Sequence, residues 1–146
     1  MTVAVEETKK ALILEELDKI TRRHRGILRA EDVVKFAENP DTTLHGEFEW
    51  DDDEAAHKYR VFQARNIIRV TVTVIEETDT EHKAYVSLPS DQKKRGGGYR
   101  PLVSVLSNAD RRAELLEQAK NELAVFKKKY KDLTELSKVF DAISSL

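Results

Sequence analysis

The chain's patterning predicts a mostly helical α+β fold: a three-helix core, a β-hairpin and a C-terminal helical extension. Three observations carry this. Apolar residues recur at helical spacing in three N-terminal segments, two runs between Val70 and Leu88 alternate with period two, and a seam at intervals of 3 and 4 follows Pro101. Residues 1–90 are expected to form the helical core with its hairpin and residues 91–100 a flexible, glycine-rich basic loop. Residues 101–146 are expected to form helices packed on the core or on a second subunit.

The first helix is expected over Glu6 to His24. Ala11, Leu14, Leu17 and Ile20 mark one face, Leu12 and Ile13 widen it, and Gly26 is placed at C′. Arg22, Arg23, His24 and Arg25 complement the negative helix end, although with Arg29 they also form a candidate phosphate contact. A short helix from Ala30 to Glu38 turns Val33, Val34, Phe36 and Ala37 inward, and Asn39-Pro40 ends it. Leu44 to Trp50 reads either as a short extended segment or as irregular packing chain. At Trp50 an aromatic precedes Asp51 or Asp52 as N-cap, with Asp53 and Glu54 in the first turn, so a third helix should run to about Ile68. On a helical projection it is apolar nearly all round, with Ala55, Ala56, Tyr59, Phe62 and Ile67 on one side and Val61, Ala64 and Ile68 on another, and one exposed basic strip of Lys58, Arg65 and Arg69.

Val70 to Ile75 and His82 to Leu88 then alternate, which pairs Val70, Val72 and Val74 with Ala84, Val86 and Leu88 on a core-facing hairpin surface. Ser90 to Arg100 contains three consecutive glycines but lacks the ending of a phosphate-binding P-loop. It reads as a mobile linker, or as a grip on a nucleic-acid backbone by Lys93, Lys94, Arg95 and Arg100 with Tyr99 stacking. After Pro101 a short helical turn is expected, then a long helix opened by Ser107 and Asp110 as a capping box. Its seam is Leu116, Ala119, Leu123, Phe126 and Tyr130. Asp132 and Glu135 look like a fresh cap before a last helix carrying Leu136, Val139, Phe140 and Ile143.

Composition bounds the function. At 146 residues the chain suits one compact domain, or one with a helical appendage. Its 25 basic residues nearly balance 27 acidic ones, so affinity for nucleic acid has to come from local patches. Without cysteine there is neither a disulfide framework nor a thiolate zinc site. No apolar run is long enough to cross a membrane, and the first residues lack the features of a secretory leader, so a soluble intracellular protein with no membrane partner is expected. Asp51 to Glu54 beside His57 invite comparison with a divalent-metal site, but helix capping accounts for the same residues. No nucleophile elbow, paired-histidine zinc motif or dinucleotide fingerprint is present, so no catalytic residue, metal or cofactor is assigned.

Leu44, His45, Phe48, Glu49, Trp50, Asp51, Asp52, Ala55, Ala56, Tyr59, Arg60, Gln63, Ala64 and Arg65 form the pattern LHxxFEWDDxxAAxxYRxxQAR. With it the chain resembles a family of small phage and prophage proteins of unassigned function, and GYRPL and LTELxxVFDAI are similar too. The resemblance implies a viral source, in the host cytoplasm or the virion, and supplies no site residue. The element order also looks like a winged helix-turn-helix, with a longer loop at Asn39 to Glu49 than the usual tight turn. The expectation is a non-enzymatic phage protein that binds nucleic acid through Lys58, Arg65, Arg69, Lys93, Lys94, Arg95 and Arg100, and that forms homo-oligomers through its C-terminal helices. The alternatives are a virion structural or assembly protein and a small inhibitor of a host enzyme.

Overall fold

The computed structural model describes residues 2–51, 54–75 and 80–146. Among them it is a mostly helical α+β structure with seven α-helices and two small antiparallel sheets. No helix among these residues is long and apolar enough to cross a membrane. The chain divides into two compact units, Met1–Ser104 and Val105–Leu146.

The first unit opens with α1 (Thr2–Arg23) and α2 (Ala30–Ala37), followed by a 3-10 turn at Leu44–Glu47 and α3 (Glu54–Val70). The hairpin of β1 (Val72–Ile75) and β2 (Thr80–Lys83) comes next, so the order helix, helix, helix, hairpin is the one expected. β3 (Tyr85–Val86), α4 (Pro89–Gln92), β4 (Arg100–Pro101) and α5 (Leu102–Ser107) complete the series, α5 crossing the division between the units. One buried cluster joins α1, α2 and α3: Leu17 and Ile20, then Leu28, Val33, Val34 and Ala37, then Ala64 and Ile68, with Leu44, Phe48, Ala84 and Tyr85. In α2 the buried Ala30, Val33, Val34 and Ala37 stand at i, i+3, i+4 and i+7, one helical face. Phe36, expected inward, is half-buried with the Arg23 guanidinium over its ring.

The end of α1 differs from expectation by one residue. Gly26 N–H donates to the Thr21 carbonyl at 2.9 Å, the long bond of a Schellman motif, which makes Arg25 the C′ residue. Arg25 has φ 59° there, a conformation that costs a side chain roughly 1 kcal/mol. Arg25→Gly is therefore expected to raise stability by about 0.5 kcal/mol, seen as a higher urea midpoint at unchanged slope.

Long-range polar contacts hold the segment between α2 and α3. The Glu16 carboxylate accepts from Thr43 N–H at 2.9 Å and Leu44 N–H at 2.8 Å, capping the 3-10 turn from α1. Leu44 to Trp50 is thus neither wholly extended nor irregular: a turn of 3-10 helix is followed by extended chain at Phe48. The His45 Nδ1–H donates to the Ala37 carbonyl at 2.7 Å, since a carbonyl can only accept. Trp50 stacks on His45 at 4.8 Å and donates from its indole to the His45 carbonyl at 2.8 Å. Arg60 places its guanidinium 5.0 Å from the Trp50 ring centre and donates to the carbonyls of Glu49 (2.7 Å) and Asp51 (2.6 Å). Of the two expected N-caps, Asp51 lies three residues before the start of α3 at Glu54, while Asp52, and Asp53 of the expected first turn, lie outside the described residues.

The expected core face of the hairpin is overturned at the start of its first strand, while Ala84 and Leu88 of the second run are buried as expected and Val86 is half-buried. α3 continues through Val70, and Thr71 is buried, its hydroxyl donating to the Ile67 carbonyl at 2.6 Å. This shifts the phase at the start of the strand by one residue, and with a period of two Val70 and Val72 change face. Val70 is 74% exposed and Val72 38%. β1 and β2 pair from Val72 with Lys83 to Ile75 with Thr80. The second alternating run breaks at Ala84, and Tyr85–Val86 pairs instead with Arg100–Pro101. The Tyr85 hydroxyl, its proton held well above the usual phenol range by burial and by donation to Asp18 at 2.5 Å, ties this small sheet to α1.

In the second unit, α6 (Ala109–Lys129) is capped by Asn108, whose side chain accepts from Arg111 N–H at 3.0 Å, one residue later than the expected Ser107. The chain bends after Tyr130, passes through a 3-10 turn at Thr134–Leu136 and ends in α7 (Ser137–Ser144). The fresh cap read at Asp132 and Glu135 is absent: Leu133 and Leu136 occupy those cap positions. α7 packs on the end of α6 through Phe140, 6.4 Å from Phe126, and through Lys127 bonded to the Ser144 hydroxyl.

Candidate functional site

α3 buries one side only. Ala64 and Ile68 are fully enclosed and Val61 and Ile67 half-buried, all facing the core. The expectation that Tyr59 and Phe62 join them is corrected: they are 51% and 55% exposed. Their rings lie together, centroids 6.4 Å apart and planes 23° from parallel. Lys58, Tyr59, Phe62, Arg65, Asn66, Arg69 and Val70 are all exposed. At 100° per residue they fall within one sector of about 140°. The basic strip read from the sequence is thus one edge of a wider face that interleaves three cations with two aromatic rings. Interleaving at i, i+1, i+4 and i+7 from Lys58 was the signal that would have found Tyr59 and Phe62. It was outweighed by their apolar character, since periodicity does not distinguish a face meant for the core from one meant for a ligand.

The glycine-rich segment is pinned at its base. Arg100 donates from Nε and a terminal nitrogen to the two oxygens of Asp91 at 2.7 and 2.9 Å, and Asp91 is 1% exposed. Leu28 and Tyr99 exchange both backbone hydrogen bonds at 2.8 Å, and Ser87 donates to the Gly98 carbonyl at 2.8 Å. A Cβ at Gly98 would come within 2.8 Å of Ile27, so the chain passes close to the core there. Two sequence expectations change accordingly. Arg100, with its side chain only 12% exposed, is committed to Asp91 and is not presented to a ligand. Tyr99 is half-buried against the core rather than offered for stacking. Lys93, Lys94 and Arg95 are exposed at the loop tip.

The structure brings part of the two groups together. Arg65 of α3 and Lys94 of the loop line one cleft of about 300 Å³ with Gly96, Gly97 and Gly98. Of the cations at the end of α1, Arg23 lies over Phe36 and His24 stands 3.7 Å from Asp32, so both have local partners. No family model, curated protein or solved structure matches the chain.

Proposed function

We propose that this is a non-enzymatic protein that binds single-stranded nucleic acid along the exposed face of α3 and the adjoining glycine loop. The supporting observation is the interleaving of Lys58, Arg65 and Arg69 with the exposed rings of Tyr59 and Phe62. Cations there neutralise phosphates, while two solvent-facing rings offer stacking surface to unpaired bases of any sequence. A duplex keeps its bases stacked on one another and gains only the first of these. The phage origin rests on the sequence pattern around Trp50.

The expected result is binding of a fluorescent strand of about 20 nucleotides in preference to its duplex, with affinity falling steeply as salt rises. Replacing Lys58, Arg65 and Arg69 together by glutamine should flatten the salt slope by about 0.7 for each phosphate no longer neutralised. Phe62→Ala should cost about 1–3 kcal/mol of binding with little change in that slope. No binding at low salt, or a triple variant indistinguishable from the parent, would sink the proposal.

Self-association through α6 belongs to the same proposal. Leu116, Ala119, Leu123, Phe126 and Tyr130 repeat at 3 and 4, and all five are exposed. α6 buries no residue at all. A continuous seam at heptad spacing is what a second copy of the same helix would cover. Sedimentation should show a concentration-dependent dimer that Leu116→Glu with Leu123→Glu converts to monomer, whereas a parent that stays monomeric at about 100 μM contradicts this.

A further inference from the structure

The cleft beside Gly96–Gly98 is lined by two cations, Arg65 and Lys94, and, among the described residues, by no carboxylate. The larger cavity of about 600 Å³ between α1 and α2 has Glu16, Asp32 and Asp41 among its walls beside Lys19, Arg23 and Lys35, so its charge is largely compensated. In the loop itself, Asp91 has both oxygens engaged by Arg100 and lends the cleft no compensation. A third cation lies close by: the Arg29 Cδ is 3.8 Å from where a Cβ on Gly96 would stand.

The glycines shape the remaining wall. Gly96 and Gly97 have φ of 83° and 63°, the left-handed region, and a Cβ added at Gly97 would meet nothing within 4 Å. No side chain therefore screens the backbone at Gly97, and a group entering the cleft approaches the main chain closely there, the Gly97 N–H itself being donated to the Lys94 carbonyl at 2.9 Å. The Gly98 carbonyl, whose oxygen would repel an anion, is already engaged by the Ser87 hydroxyl. At about 300 Å³ the space is an order of magnitude above the ~30 Å³ share of one water, room for a phosphoryl group with its sugar or hydration.

We infer that this cleft is a phosphoryl-group site, with Arg65 and Lys94 supplying the charge and Gly96–Gly98 the close approach. The inference deepens the nucleic-acid proposal and rests on it for the source of the phosphate, a phosphodiester of the bound strand, the alternative source being a free nucleotide. Inorganic phosphate is titrated into the ¹⁵N-labelled full chain at constant ionic strength. Saturable shifts of the Gly96, Gly97 and Gly98 amides are expected. Arg65→Gln with Lys94→Gln should weaken them at least about tenfold, while Lys83→Gln on β2 leaves them unchanged. Both cleft residues carry exposed side chains, and unchanged resonances elsewhere confirm that the double variant is folded. Absence of saturable shifts up to about 50 mM phosphate, or equal shifts in the double variant, overturns the site. Competition separates the two readings. An oligonucleotide that displaces phosphate supports both. An oligonucleotide that binds without displacing it overturns the cleft and leaves the nucleic-acid proposal standing. Displacement by a mononucleotide with no oligonucleotide binding keeps the phosphoryl site and removes the nucleic-acid proposal.

Discussion

Arg100→Ala is expected to destabilise the first unit by about 3–5 kcal/mol, because it leaves the Asp91 carboxylate buried without its counter-charge. Asp91 is 1% exposed and both its oxygens accept from the guanidinium, so its buried charge is compensated by this partner. The size of the effect comes from the stranded charge rather than from the net worth of the pair. The paired replacement Asp91→Leu with Arg100→Met, which removes both charges and keeps apolar volume, should therefore cost much less than Arg100→Ala alone. Urea unfolding of the three proteins decides the matter. A double variant as unstable as the single one would mean that the loop depends on this hydrogen-bond geometry itself.

Trp50→Ala should cost about 3 kcal/mol, the lower end for loss of a large aromatic, since the ring is half-buried rather than enclosed. The ring combines several interactions: stacking on His45, a tilted packing with Phe48 at 5.6 Å, the indole hydrogen bond and the Arg60 guanidinium over its face. Arg60→Ala should cost less, about 1–2 kcal/mol, because its two carbonyl acceptors lie near solvent and recover hydrogen bonds from water. Thermal melts followed by far-ultraviolet circular dichroism test the ranking. An Arg60 variant less stable than the Trp50 variant would show that the guanidinium, and not the ring, holds this segment.

Much of the fold was legible because it is local. α2 was placed within a residue of its observed end, and the short turn after Pro101 and the seam of α6 follow directly from spacing. What escaped was set by partners distant in sequence or by single hydroxyls. The Glu16 carboxylate caps a turn more than two dozen residues away, and no periodicity encodes that. Thr71 bonded to Ile67 carries the helix past the expected start of the strand and leaves Val70 and Val72 facing outward. In the candidate site, the cations of α3 were readable from their angular position. The fate of Arg100 was not, although an Asp and an Arg flanking a glycine run are a hint that the run is closed at its base.

The clamp around Trp50 also makes the protein its own optical reporter. The chain has a single tryptophan, and Arg60, which lies over it, points from α3 almost opposite to the centre of the Lys58, Phe62 and Arg69 face. Indole emission therefore records whether the segment between α2 and α3 is still locked to the helix, while a ligand occupying the far face leaves the indole's surroundings untouched. Unfolding and occupancy are thus separable in one cuvette without any label on the protein.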